Sequence, residues 1–226
     1  MLPTGRRKAS PIGSAPLAPP WAAAVAASTL LAGSLLAALV WHATRLDPVD
    51  VWVMRWQDLA FTRAGGPAAI VSATLEPVAL LTMAAGAVFG WLVGRRDLTV
   101  LALVALPATL AVEAVLKRLV HRQWEGDPAL LFPSGHAAMA VAVALTALLA
   151  ARVAPVGSRT RLVVAGLTGG YVLAVAVARL VETVHPLTDV LGGVATGAAV
   201  TLGTALAITA TSGSEPSRRA NAAPGR

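Results

Sequence analysis

The tetrad Pro133-Ser134-Gly135-His136 and the set Arg179, His185 and Asp189 place two histidines, an arginine and an aspartate at the ends of strongly apolar segments. Ionisable groups are expensive at the edge of a bilayer, so their clustering points first to function. His185 and Asp189 are four apart, a spacing that puts both on one helix face. A carboxylate bonded to one imidazole nitrogen fixes the tautomer and leaves the other nitrogen free for attack. A polar pair that only stabilises a bundle, or a proton relay, has the same spacing. Pro186 suits the first turn of a helix and would hold His185 at its mouth. In the tetrad, Ser134 is a favoured N-cap and Gly135 lets backbone approach closely. The exposed N–H groups of a helix start attract anions. His136 in that first turn would face the same anion, although the tetrad alone also fits a capped membrane helix that carries a histidine. Arg179 can snorkel or grip a phosphate in bidentate fashion. Lys117, with Glu113 one turn earlier, can anchor at the interface or contact phosphate.

The elements that must position these residues are membrane helices. A hydrophobic content of 56%, a charged content of 13% and a mean hydropathy of +0.71 lie outside the soluble range. The net charge of +7 is scattered between apolar blocks without a continuous basic face, which excludes a nucleic-acid partner and favours lipid headgroups and phosphorylated lipids. The absence of cysteine excludes disulfides and thiolate metal sites.

A bilayer core requires about 20 mostly apolar residues per helix. Six segments approach this: Trp21–Trp41, Leu75–Val93, Leu98–Leu116, Ala137–Ala151, Leu162–Val181 and Leu187–Ala210. The first follows Arg6, Arg7 and Lys8 as a signal peptide would, but it is longer than a signal core and five spans follow, so it reads as a retained helix. The chain thus divides into a disordered basic tail over 1–20, a six-span all-α domain over 21–210 and a second disordered tail over 211–226. Between the first two spans, Asp47–Phe61 reads as either a short helix in the headgroup layer or an aromatic-belt loop, with Trp52 and Trp56 four apart.

Lysine and arginine set the orientation. With both termini cytoplasmic, the inner segments carry Arg6, Arg7, Lys8, Arg95, Arg96, Arg152, Arg159, Arg161, Arg218, Arg219 and Arg226. Apart from Lys117, Arg118, Arg122 and Arg179 in the motif region, only Arg45, Arg55 and Arg63 then fall outside. Lys117–Glu125, Pro133–His136 and Arg179–Asp189 share the extracytoplasmic side, because spans three and four share one outer loop and spans five and six the next.

Together these residues resemble the type 2 phosphatidic acid phosphatase family, whose pattern is K-x6-R-P, then P-S-G-H, then S-R-x5-H-x3-D. Lys117 fills the first lysine, Pro133–His136 match the second motif in full, and Arg179, His185 and Asp189 match the third at its spacing. Two positions depart. Ala178 replaces the serine before the arginine, and Trp124-Glu125 stand where the family has Arg-Pro, with Arg122 two residues earlier as a substitute. The resemblance implies a plasma-membrane enzyme that needs no metal or other cofactor. In it His185 attacks a phosphoryl group, Asp189 orients His185, and His136 protonates the leaving oxygen. Lys117, Arg179, Arg122, Ser134 and Gly135 would hold the phosphate. The implied substrate is a lipid phosphate: a polyprenyl diphosphate such as undecaprenyl diphosphate, phosphatidic acid or phosphatidylglycerophosphate. The lost family arginine motivates the alternative of a catalytically weak member that binds lipid phosphates or acts as a membrane interaction partner.

The orientation has a direct check, since a chain without cysteine gives a clean labelling background. A cysteine introduced at Asp127 is expected to react with a membrane-impermeant thiol reagent added outside intact cells, and one at Arg159 only after permeabilisation. The reverse pattern would invert the topology.

Overall fold

The computed structural model describes residues 15–60, 65–124 and 127–212. The first fourteen residues of the expected N-terminal tail, and all but the first two of the C-terminal one, lie outside them. Among the described residues, helices α1 (Ala22–Leu39), α2 (Pro48–Ala60), α3 (Gly65–Leu92) and α4 (Arg96–Val120) come first. A small antiparallel hairpin follows, β1 (Gln123–Trp124) paired with β2 (Asp127–Leu130), and then α5 (Gly135–Val153), α6 (Ser158–Val181) and α7 (Leu187–Ser212). All but α2 are long and apolar enough to cross a bilayer, and the chain is an integral membrane protein of six spans. The second span starts about ten residues before the expected Leu75. Ser72, Thr74, Glu76 and Pro77 interrupt its apolar pattern, but a membrane helix tolerates such residues where neighbouring helices satisfy them.

α5 and α7 form the centre. α7 packs against α1, α4 and α5, while α5 also meets α3, α4 and α6. Half of each apolar span is buried in α5 and α7, against 6% in α1 and 11% in α6, whose outer faces are left to lipid. Small residues make this possible, since without a hydrophobic drive between helices close backbone approach supplies the contact. Gly193 and Gly197, four apart on α7, lie against the α5 backbone, where a Cβ would run into the carbonyl oxygens of Ser134 and Ala138 respectively. A Cβ on Gly192 would run into the Phe132 ring.

The segment Asp47–Phe61 resolves in favour of a helix over Pro48–Ala60. The Asp47 carboxylate accepts from the N–H groups of Val49 and Asp50 at 2.9 and 3.1 Å, and Pro48 needs no donor there. Trp52 and Trp56 are exposed and meet edge to face at 6.0 Å, while Asp50 points inward with no exposure. The opposite end of the bundle is tied by arginines. Arg95 donates to the carbonyl of Ala15 and Arg152 to those of Pro16 and Leu17, at 2.8–3.3 Å, so the residues before α1 pack beside the α3–α4 and α5–α6 turns. Leu17, Leu98, Leu101, Leu149 and Leu202 form the core there.

Close packing of α7 on α5 gives an expected cost. Gly197→Val should lower thermal stability in detergent by about 1–3 kcal/mol, the range for overpacking. Gly203→Ala on the same helix, with open space at its Cβ, should be neutral or stabilising. Equal melting behaviour of the two variants would contradict the packing.

Candidate active site

The expected catalytic residues come together at one end of α5, α6 and α7. His136 occupies the first turn of α5, half-buried, within electrostatic range of Arg179 on α6, Glu182 at the C-cap of α6, His185 before α7, and Glu76 on α3. Nδ1 of His185 lies 3.5 Å from Oδ2 of Asp189, in the i,i+4 relation the spacing demands. That is too long for a hydrogen bond, though such contacts in substrate-free sites commonly tighten on binding. The amide of Ser134 donates to the Asp189 carbonyl at 2.9 Å and clamps the start of α5 to the first turn of α7.

Ser134 stands at the N-cap of α5 as its residue type suggests, but its hydroxyl does not cap the helix. Oγ is buried without a hydrogen-bond partner, as are Nδ1 of His185, Oδ2 of Asp189 and Nε of Arg179. Among the described residues eight buried side-chain atoms lack a partner, and these four gather in one place. Buried polar groups are normally satisfied, so such a concentration marks a site shaped for a polar guest.

Both expected phosphate cations at the rim are held by internal carboxylates. Lys117 pairs with Glu113 at 2.7 Å across one helical turn, and Glu113 Oε1 would sit 2.9 Å from a Cβ on Gly135, so only glycine fits that turn without displacing the carboxylate. Arg179 pairs with Glu182 at 2.6 Å, and Ser72 from the unexpected first turns of α3 donates to the same carboxylate at 2.8 Å. Glu182 lies three residues after Arg179, a helical spacing that the sequence displays. Ser72 is 107 residues away from Arg179 and carries no such signal.

Arg122 corrects an expectation. As the substitute for the missing family arginine it should face the phosphate, but it is 1% exposed and fully engaged elsewhere. NH1 donates to Asp189 Oδ1 and Thr188 Oγ1, both at 2.6 Å, and NH2 donates to Asp50 Oδ2 at 2.7 Å. Asp50 also accepts from the Thr188 amide at 3.0 Å and its hydroxyl at 2.6 Å, so a carboxylate from α2 caps the start of α7. Burial would raise the Asp50 pKa, but the bonds from Arg122 and Thr188 prevail and hold it below the usual carboxylate range. Burial likewise opposes the charge on Arg122, and Asp189 and Asp50 override it, raising its pKa. A guanidinium between two desolvated carboxylates is not free for a third anion. His42 and His121 lie near each other, their ring centres 5.7 Å apart and the rings tilted.

The sequence profile of the PAP2 superfamily matches residues 121–212, which contain Pro133–His136, Arg179, His185 and Asp189 but not Lys117. The fold is similar to the crystal structure of a transmembrane PAP2-type phosphatidylglycerolphosphate phosphatase from Bacillus subtilis. The similarity has a TM-score of 0.66 at 21% identity, over 82% of this chain and 96% of that one. No curated protein matches the chain.

The unbonded hydroxyl of Ser134 separates a structural cap from a ligand-facing group. Removing a working cap costs about 0.5–2 kcal/mol. Ser134→Ala should instead leave thermal stability within a few tenths of wild type, measured by a melting curve in detergent. A loss of full cap size would show that the hydroxyl serves the helix.

Proposed function

Because residues 121–212 match the sequence profile of the PAP2 superfamily, we propose that the chain is a PAP2-type membrane phosphatase that removes the terminal phosphate from a lipid phosphate or polyprenyl diphosphate through a phosphohistidine. The observation that carries this reading is the group of buried, unpartnered polar atoms on Ser134, Arg179, His185 and Asp189. They are the atoms that a bound phosphoryl group and its nucleophile would use.

Asp189 Oδ2 accepts the Nδ1 proton of His185 once the 3.5 Å gap closes, which leaves the Nε2 lone pair to attack phosphorus. The bond from Nε2 to phosphorus forms as the bond from phosphorus to the lipid oxygen breaks, and protonated His136 gives its proton to that oxygen. Lys117, Arg179, the Ser134 hydroxyl and the amides at Gly135 stabilise the equatorial oxygens. For the phosphate to reach them, Glu113 and Glu182 must yield or share their cations, so the free site is already electrostatically balanced. Water then attacks the phosphohistidine and returns a proton to His136, and inorganic phosphate leaves with His185 regenerated.

The active site is assigned to the extracytoplasmic bilayer surface of the plasma membrane, supported by the basic residues gathered at the other end of the bundle. Substrate tails would arrive by lateral diffusion. Phosphatidylglycerophosphate heads the substrate panel because the Bacillus subtilis protein of similar fold is a phosphatase for it. Phosphatidic acid and undecaprenyl diphosphate complete it. A second reading, a lipid-phosphate binder with weak turnover, is favoured by one observation: Arg122 is withdrawn into the ion cluster, which leaves the rim with Lys117 and Arg179.

Phosphate release from the panel by purified protein tests the proposal. His185→Ala should remove at least about 99.9% of the rate, the scale for loss of a nucleophile, with folding intact. His136→Ala should lose far more on alkyl phosphates than on esters with good leaving groups, which need less protonation. Substantial turnover by His185→Ala would exclude the phosphohistidine, and binding without turnover in wild type would favour the second reading.

A further inference from the structure

The fully buried Asp50 belongs to none of the motif positions, yet it comes from the interfacial helix α2 and reaches the residue that orients the proposed nucleophile. Arg122 NH2 donates to Asp50 Oδ2 at 2.7 Å, and Arg122 NH1 donates to Asp189 Oδ1 at 2.6 Å. Thr188 closes the loop by bonding both Asp50 and Arg122 at 2.6 Å. Arg122 thereby occupies one oxygen of Asp189 and fixes the plane in which the other faces His185. The cluster holds two carboxylates and one guanidinium, so its balance sets how strongly Asp189 can support a charged imidazole.

We propose that Asp50 and Arg122 are positioning residues for the phosphatase reaction, holding the Asp189 carboxylate at the orientation and charge that His185 requires. The inference rests on the phosphatase reading for its kinetic consequence but not for its electrostatic one. Asp50 shares Arg122 with Asp189 and so leaves Asp189 more of its negative charge. Without Asp50, the whole guanidinium charge opposes Asp189, and His185 holds a proton less firmly. Without both Asp50 and Arg122, Asp189 faces His185 with no competing cation, and the imidazolium is held more firmly. The two changes therefore move His185 in opposite directions.

The other charged groups around His185 stay in place in both variants. They are Asp189 on α7 and His136 on α5, with Arg179 on α6, Glu182 at its C-cap and Glu76 on α3 lying in range of His136. Lys117 and Glu113 on α4 pair with each other. The same geometry ties α2 to the chemistry. Trp52 and Trp56 stand exposed on its outer face, and Asp50, two residues before Trp52, anchors its inner face on Arg122 and Thr188.

The test is a histidine-selective isotope-labelled NMR titration of the purified chain, which has four histidines, with kcat and KM measured alongside. In Asp50→Asn the His185 midpoint should fall by about half a pH unit or more, and in Asp50→Leu with Arg122→Met it should rise by a similar amount. Asp50→Asn should lower kcat by about tenfold or more with KM within twofold. Breaking a buried ion cluster by removing one partner can unfold a protein, whereas apolar replacement of the whole pair is often tolerated. If Asp50→Asn does not fold, the double variant decides alone. An unmoved His185 midpoint in the folded variants, or wild-type kcat in a folded Asp50→Asn, overturns the proposal and makes the cluster purely structural. A wild-type chain that releases no phosphate from any substrate would sink the phosphatase reading, while the titration would still decide the positioning role.

Discussion

A guanidinium buried between two carboxylates holds the working end of this bundle together. Removing three charges from water is expensive, and their attraction offsets that cost only with short, complementary bonds. Arg122 has them: three contacts of 2.6–2.7 Å to Asp50, Thr188 and Asp189, with essentially no exposure. The consequence is geometric. α2, the loop after α4 and the first turn of α7 cannot shift independently, because each supplies a member whose isolation would leave a buried charge unpaired. Asp50 further caps α7 through the Thr188 amide, where the helix dipole favours a negative charge.

The second constraint is steric. The start of α5 and the start of α7 meet backbone to backbone, with the Ser134 amide on the Asp189 carbonyl and Gly193 and Gly197 pressed against α5. This contact brings Pro133–His136 and His185–Asp189, about fifty residues apart in sequence, together at one end of the bundle. At this contact the Ser134 hydroxyl is buried and left without a hydrogen-bond partner. The rim is softer. Lys117 and Arg179 are each paired to a carboxylate on their own helix, partly exposed, and such pairs are weak enough to rearrange for a competing anion.

On the phosphatase reading, the departure from the family pattern at Trp124 acquires a physical meaning. An arginine lies two residues from the expected place, and its charge is used to hold Asp189 rather than a phosphate. The rim then relies on two cations, and the precision of the nucleophile's support assumes more of the work. This redistribution explains why a motif can be incomplete at one position while the nucleophile, its support and the acid are all present.

The sequence by itself determined the six spans, the all-α class and the grouping of the motif residues at one end of the bundle. These follow from local quantities: apolar length, basic residues between spans, and the i,i+4 relation of His185 to Asp189. The Lys117–Glu113 pair was legible for the same reason. Asp50, Ser72 and the true place of Arg122 were not. Asp50 looked like one of several polar residues in a headgroup segment, and Arg122 looked free because a loop arginine has no fixed partner until helices α2 and α7 converge on it. Which cation faces solvent and which is buried depends on the balance of desolvation and pairing. That balance is set by groups far apart along the chain, so only the tertiary structure decided it.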